Sequence, residues 1–458
     1  AATRARLKHA SERAHGETLR HAQAVAACGP RFTGSDGLDK VLLYVQSELA
    51  RMGWDHTEAG KEDALAEPPP EKTVRRTEFH VLAPRDAGSR IELPAAPGGA
   101  TAVAAHALMP NAVQTCATPP NGLDAPLVYL GLGRDEDLDG LDVAGKLAVF
   151  EFASGERWLW AFEHGAKGAV FLGGAAGEGE TVRQADAKYL ALLPVHFPRV
   201  YVRAAEAAPL REAARASRRA VLHDRMTLAE ARAPVLEARI QGRATAREML
   251  VMCHADARAV APALSYGGQE AFAIGEWLAL FEHFAAHPPA FSLRFVLFTG
   301  HWQQQAAERA YAWAVKEAAG GQIALSVGVA LDPETDALIL TDETIADAVR
   351  PAQYWCLKKL LFTVDRREPG WIDQLEELSE RPAADRGDTP SKYAFYSGRP
   401  TLPGSNWSLW LAPVDQWPPL SHSIGFPTAN QMMAQLGTIS IALVTCGGYR
   451  QKHFTCDD

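Results

Sequence analysis

Residues 249–256 read "MLVMCHAD", an apolar run that stops at a His-Ala-Asp triplet. A short, unbroken apolar run bounded by polar residues predicts a strand buried on both faces. The same texture returns at 293–300, "LRFVLFTG", and at 323–332, "IALSVGVALD". Between these runs lie two helical patterns. In 267–287, "GGQEAFAIGEWLALFEHFAAH", the spacing puts Ile274, Trp277, Leu278, Phe281 and Phe284 on one face. The second, 303–318, reads "QQQAAERAYAWAVKEA". Apolar strands alternating with helices predict an α/β fold: a mostly parallel, mixed sheet with helices on both faces. Ligands of such sheets bind beyond the carboxyl ends of the strands, and His254, His301 and Asp332 all fall at those ends.

Working outward, the stretch 38–54, "LDKVLLYVQSELARMGW", predicts a helix burying Val41, Tyr44, Val45, Leu49 and Met52. The Pro-rich "EDALAEPPPEK" at 62–72 marks a break. Beyond it, "KLAVFEF", "GAVFLGG" and "RVYVRA" read as strands, with a helix over "RWLWAFEHGA" between the first two. We therefore expect three segments: an N-terminal helical part over 1–85, a small β-rich unit over 86–235, and the main α/β part over 236–458.

Composition excludes several function classes. The chain has 46 basic against 55 acidic residues, net −9, and no basic stripe, which argues against a nucleic-acid partner. No run approaches the ~18 apolar residues needed to span a bilayer, so no membrane span is expected. None of the six cysteines lies in a CxxC motif. Cys253 reads as a buried free thiol, and Cys446 and Cys456 are near enough in sequence to pair. Ser265 lies in no G-x-S-x-G elbow, which argues against a serine hydrolase. The Gly-rich "GLGRDEDLDGL" at 131–141 has no Walker lysine and reads as an acidic turn. Trp407, Trp410, Trp417, Tyr393 and Tyr396 crowd the loops near the C-terminus, where they would form a recognition surface or pack over the sheet.

At this point the chain resembles the di-zinc aminopeptidases, the family that also includes glutamate carboxypeptidase II and the transferrin receptor. "GPRFTGSDGLDKVLLYVQSELARMGW" is similar to the family's N-terminal turn and helix. "LDGLDVAGKLAVFEFASGERWLWAFEHGAKGAVFLG" resembles the protease-associated domain often inserted ahead of the catalytic strands. The resemblance implies a zinc-exopeptidase-like fold in which two metals about 3.5–4 Å apart activate a water and polarise a peptide carbonyl. Carried over, it makes His254 a metal ligand with Asp256 as its orienting partner, Asp332 a second ligand, and His422, in "LSHSIGFPT", the last.

The pattern is broken elsewhere. Ser265 stands where the bridging aspartate is expected, His301 where the general-base glutamate is, and Trp302 where a ligand glutamate is. An indole N–H cannot ligate zinc. Asn406 and Trp407 replace a further Asp-His. The resemblance thus implies a pseudoenzyme: an extracytoplasmic binding or scaffold subunit without a cofactor, taking a protein or peptide partner or joining an oligomer. The competing expectation is a metallo-hydrolase with a rebuilt site. There one zinc would be held by His254, Asp332 and His422, with His301 as a further imidazole or general base and Asp256 behind it.

Overall fold

The computed structural model describes residues 15–60, 65, 67–95, 99–110, 116–174, 182–188, 195–319, 323–330, 337–342, 408–412, 429, 432–433, 436 and 440–445. The described residues begin with helix α1 (15–26) and helix α2 (Asp36–Arg51). The start of α2 is set by Ser35, whose hydroxyl accepts the Leu38 N–H, and by Asp36 and Asp39 in the first turn, which suit the positive helix end. Leu38, Val41, Leu42, Val45 and Leu49 form its buried stripe. Strand β1 (His56–Gly60) then pairs in parallel with the long strand β2 (Thr73–Asp86).

Residues between 87 and 225 build a sheet of their own. It contains β3 (Arg90–Ala95), β4 (Gly99–Ala104), β5 (His106–Ala107), β6 (Leu123–Tyr129), β7 (Leu147–Glu151), β8 (Gly168–Leu172), β9 (Arg199–Val202) and β10 (Arg219–His223). Their order across the sheet is β4-β3-β10-β6-β7-β8-β9-β5, with β6 through β9 parallel. Helices α3 (Asp135–Leu138), α4 (Trp158–Glu163), α5 (Val182–Ala187) and α6 (Ala204–Arg215) complete this unit. Asp86 pins the point where the chain leaves β2. One carboxylate oxygen accepts from Gly88 N, Ser89 N and the Ser89 hydroxyl, and the other accepts from Ala107 N at 2.8 Å.

The chain re-enters the main sheet through β11 (Met226–Ile240), which runs antiparallel to β2 from Met226↔Asp86 to Ala238↔Val74. Then follow β12 (Ala244–His254), α7 (Gly268–Ala286), β13 (Phe291–Phe298), α8 (Ala306–Ala319), β14 (Ile323–Ala330), β15 (Ala337–Asp342), β16 (Ser408–Ala412) and β17 (Ser440–Thr445). The nine strands are ordered β1-β2-β11-β13-β12-β14-β17-β15-β16, parallel at β13-β12-β14-β17 and antiparallel around β11.

Alternation along β12 shows why the sheet needs helices on both faces. Val251 and Cys253 join the cluster containing Leu49 of α2 and Trp277 and Phe281 of α7. Leu250 and Met252 join the opposite cluster with Ala307, Tyr311 and Val315 of α8. The apolar face expected over 267–287 is this α7 face, tied down further by the Trp277 indole donating to Val251 O at 3.1 Å. Cys253 is a buried free thiol. The architecture is thus the mixed, mostly parallel α/β sheet expected from the strand texture. Among the described residues no helix is long and apolar enough to cross a membrane.

Candidate functional site

His254 is the last residue of β12, and His301 follows β13 by three positions, so parallel pairing of neighbouring strands brings the two imidazoles together. They stack face to face, centroids 3.9 Å apart and planes within 1°. Trp302 stands edge-on to both rings.

Each ring is held from behind. His254 Nδ1 donates to the backbone carbonyl of Asp256 at 3.0 Å, which leaves Nε2 with the lone pair when the ring is neutral. Burial, reinforced by the neighbouring His301, holds its pKa well below the ordinary histidine value. His301 Nδ1 lies 2.7 Å from Glu308 Oε1, and both side chains are shut off from solvent. Burial pushes the Glu308 carboxyl up to about 8, and the pair shares a proton between Glu308 Oε1 and His301 Nδ1.

Asp256 is fully buried, and its carboxyl is likewise pushed up to about 8 by burial and by Glu308. Thr33 Oγ1 donates to Asp256 Oδ2 at 3.0 Å and lies 2.5 Å from Gln303 Oε1. Trp302 roofs this acid: its indole N–H donates to Asp256 O at 3.1 Å and its backbone N–H to Oδ2 at 3.4 Å. The Arg258 guanidinium lies 5.5 Å from the Trp302 ring centre. The turn that carries these side chains is strained, since Gln304 and Gln305 have φ of +59° and +53°.

Ser265 is buried and structural in its contacts. Its hydroxyl accepts the Ala259 N–H at 3.0 Å, and its carbonyl accepts the Arg31 N–H at 2.6 Å. Of the expected site residues, the structure therefore gathers His254, Asp256, His301 and Trp302. Asp332, His422, Asn406, Trp407, Trp417, Tyr393, Tyr396, Cys446 and Cys456 lie outside the described residues, and Trp410 falls in β16. Sequence reading missed Glu308, Thr33 and Gln303. Glu308 had a signal: it shares the apolar face of α8 with Tyr311, Ala312 and Val315, where an acid is out of place unless it has a partner.

A groove of about 510 Å³ lies beside this cluster, lined by the turn from Pro30 to Asp39, the ends of β2 and β11, and Pro262 and Ala263. It shares a wall with the site: Phe32 and Ala83 line it and also pack with Trp302. Among the described residues, the one trio of His, Cys, Asp or Glu ligand atoms within 4.8 Å is Glu17, His21 and Glu282. These are engaged already. His21 Nδ1 lies 2.8 Å from the Tyr44 hydroxyl, Glu17 pairs with Arg20 and Glu282 with Arg51.

No protein-family model matches the sequence, and no curated protein matches it. The fold, however, is that of the zinc aminopeptidases. Over 98% of this chain and 90% of the other, it is similar to a peptidase M28 precursor from Shewanella amazonensis, with a TM-score of 0.54 and 13% identity. It is also similar to a zinc aminopeptidase from Bacillus subtilis, covering 96% of this chain and 86% of that one, with a TM-score of 0.52 and 15% identity. At such identities the likeness establishes the fold.

The described donors do not fit a zinc ion as they stand. A histidine binds metal through a lone pair in its ring plane, and the parallel planes of His254 and His301 have no common point at which one ion could sit.

Proposed function

We propose that this chain is an aminopeptidase-fold pseudoenzyme, a binding or scaffold subunit for a protein or peptide partner, with the unit built between residues 87 and 225 serving as a protease-associated-like module; the expected boundary at 235 falls inside β11 of the main sheet. The observation that carries this reading is the His254–His301 stack. The two rings at the mouths of adjacent central strands stack on each other and each is held at Nδ1 by a protein partner, which supports reading these positions as spent on closing the site. Trp302 fits the same reading, since it covers Asp256 with two donated hydrogen bonds and offers no ligand atom. The neighbouring groove supports a binding role, because it leaves a concave surface beside the closed site.

The test is turnover of a panel of aminoacyl-p-nitroanilides and short free peptides, assayed with added zinc. The proposal expects no turnover above the buffer rate. Hydrolysis that disappears in His254→Ala would overturn it and establish an enzyme.

A further inference from the structure

The loop between β12 and α7 touches both sheets. Its neck is closed where Gly267 meets Ala257: Gly267 has φ +62°, and a Cβ there would lie 2.3 Å from the Ala257 Cβ. Arg31 holds the neck from outside. It donates its backbone N–H to Ser265 O, accepts the Ala257 N–H at 3.0 Å, and donates its guanidinium to Gly267 O. Inside the loop the Ser265 hydroxyl accepts the Ala259 N–H. This is a compact Ω-loop packed by its own side chains.

The tip of the loop belongs to the other sheet. Val260, Ala261 and Leu264 are buried in the cluster that contains Leu108, Trp158, Phe197 and Tyr201 of the inserted unit. Met109 N–H donates to Val260 O at 2.8 Å. The root of the loop holds the site: Asp256 accepts from the Trp302 indole, and Ala255 N–H donates to Phe298 O at 2.8 Å.

We propose that the 255–267 loop is a clasp that couples the inserted unit to the His254–His301–Trp302 site, so that movement of the inserted unit is transmitted to Trp302. This rests on contacts at the loop's two ends and does not depend on whether the site is catalytic. A packed, internally bonded loop moves as one piece, because its hydrogen bonds and close contacts leave little room for its ends to shift independently. An event that displaces the inserted unit would therefore open or re-aim Trp302 over Asp256.

The test is hydrogen exchange by mass spectrometry on the full chain, comparing Leu264→Ala, at the loop tip, with Val170→Ala, which packs in the inserted unit's cluster on the other face of its sheet. The clasp predicts that Leu264→Ala speeds exchange about tenfold in peptides covering 255–267 and also in those covering 299–303, while Val170→Ala leaves 299–303 unchanged. Faster exchange confined to 258–266 would overturn the proposal, as would an equal response at 299–303 to both substitutions. Should Leu264→Ala fail to fold, Leu264→Val loosens the same contact less and carries the same comparison.

Discussion

His254 and His301 lie parallel, ring centres 3.9 Å apart, although they follow different strands. Two charged imidazoles would repel at this distance, so the stack requires at least one neutral ring. The depressed pKa of His254 supplies it.

Glu308 sets the other half of the stack. Its folded pKa of about 8 lies above the ordinary glutamate value of 4.5, so the folded chain binds the proton more tightly than the unfolded chain does. Its contribution is therefore fully present below about pH 4.5 and is lost as pH rises toward 8. Glu308→Gln keeps a donor for His301 Nδ1 and cannot ionise. We expect urea unfolding of this variant to show a shallower decline than the parent between those pH values, the remainder coming from Asp256 and Glu276, whose carboxyls burial also raises to about 8. Glu308→Ala leaves the ring nitrogen without its partner and should cost about 3 kcal/mol. A decline of the same slope in Glu308→Gln would show that Glu308 is not its source.

Trp302 covers a buried acid and packs against Phe32, Ala83 and Met109. Trp302→Ala should lower stability by about 3 kcal/mol and admit water to Asp256. Trp302→Phe, which keeps most of the packing but loses the indole donor to Asp256 O, should cost about 1 kcal/mol. Equal losses from the two would assign the whole effect to the hydrogen bond and contradict the packing account.

Ser265 holds the Ala259 N–H inside a buried loop. Ser265→Ala should cost about 1–3 kcal/mol, because a buried donor is left unpaired. Ser265→Asp places a larger, ionisable group in the same space and should cost more, without creating a zinc site. Zinc-dependent stabilisation of Ser265→Asp in a thermal scan would refute this.

Lys188 is a buried amine in the inserted unit, its Nζ donating to Gly155 O at 2.7 Å and lying near the Phe152 and Phe171 rings. Burial lowers its pKa from 10.5 to about 7, so the unfolded chain binds more protons between those values and stability rises with pH across them. Lys188→Met should flatten that rise and raise the melting temperature at pH 7.5. A variant with an unchanged pH slope would mean that Lys188 titrates elsewhere.

Much of this was legible in the sequence, for physical reasons. Strands β12 and β13 are buried on both faces over most of their length, so their apolar runs announce them, and His254 and His301 are placed by where those runs stop. The long β2 and β11 pair was not legible. Alternation in β2 carries Arg75, Arg76, Glu78 and His80 among its apolar residues, and Arg75 is buried against Glu58 and Glu237, which masks the strand signal. The ring stack itself could not be read either. It depends on the register that sets His254 opposite Phe298 and on a turn with two left-handed glutamines, neither of which has a mark in the pattern of residues.

The central claim, that the strand mouths are closed by side chains in place of a metal, is tested most directly by metal content. After dialysis against trace zinc, mass spectrometry on the intact chain should find close to no zinc per chain, and His254→Ala should leave the value unchanged. About one zinc or more per chain, lost on His254→Ala, would contradict the account and make the stack a site that opens to receive its metal.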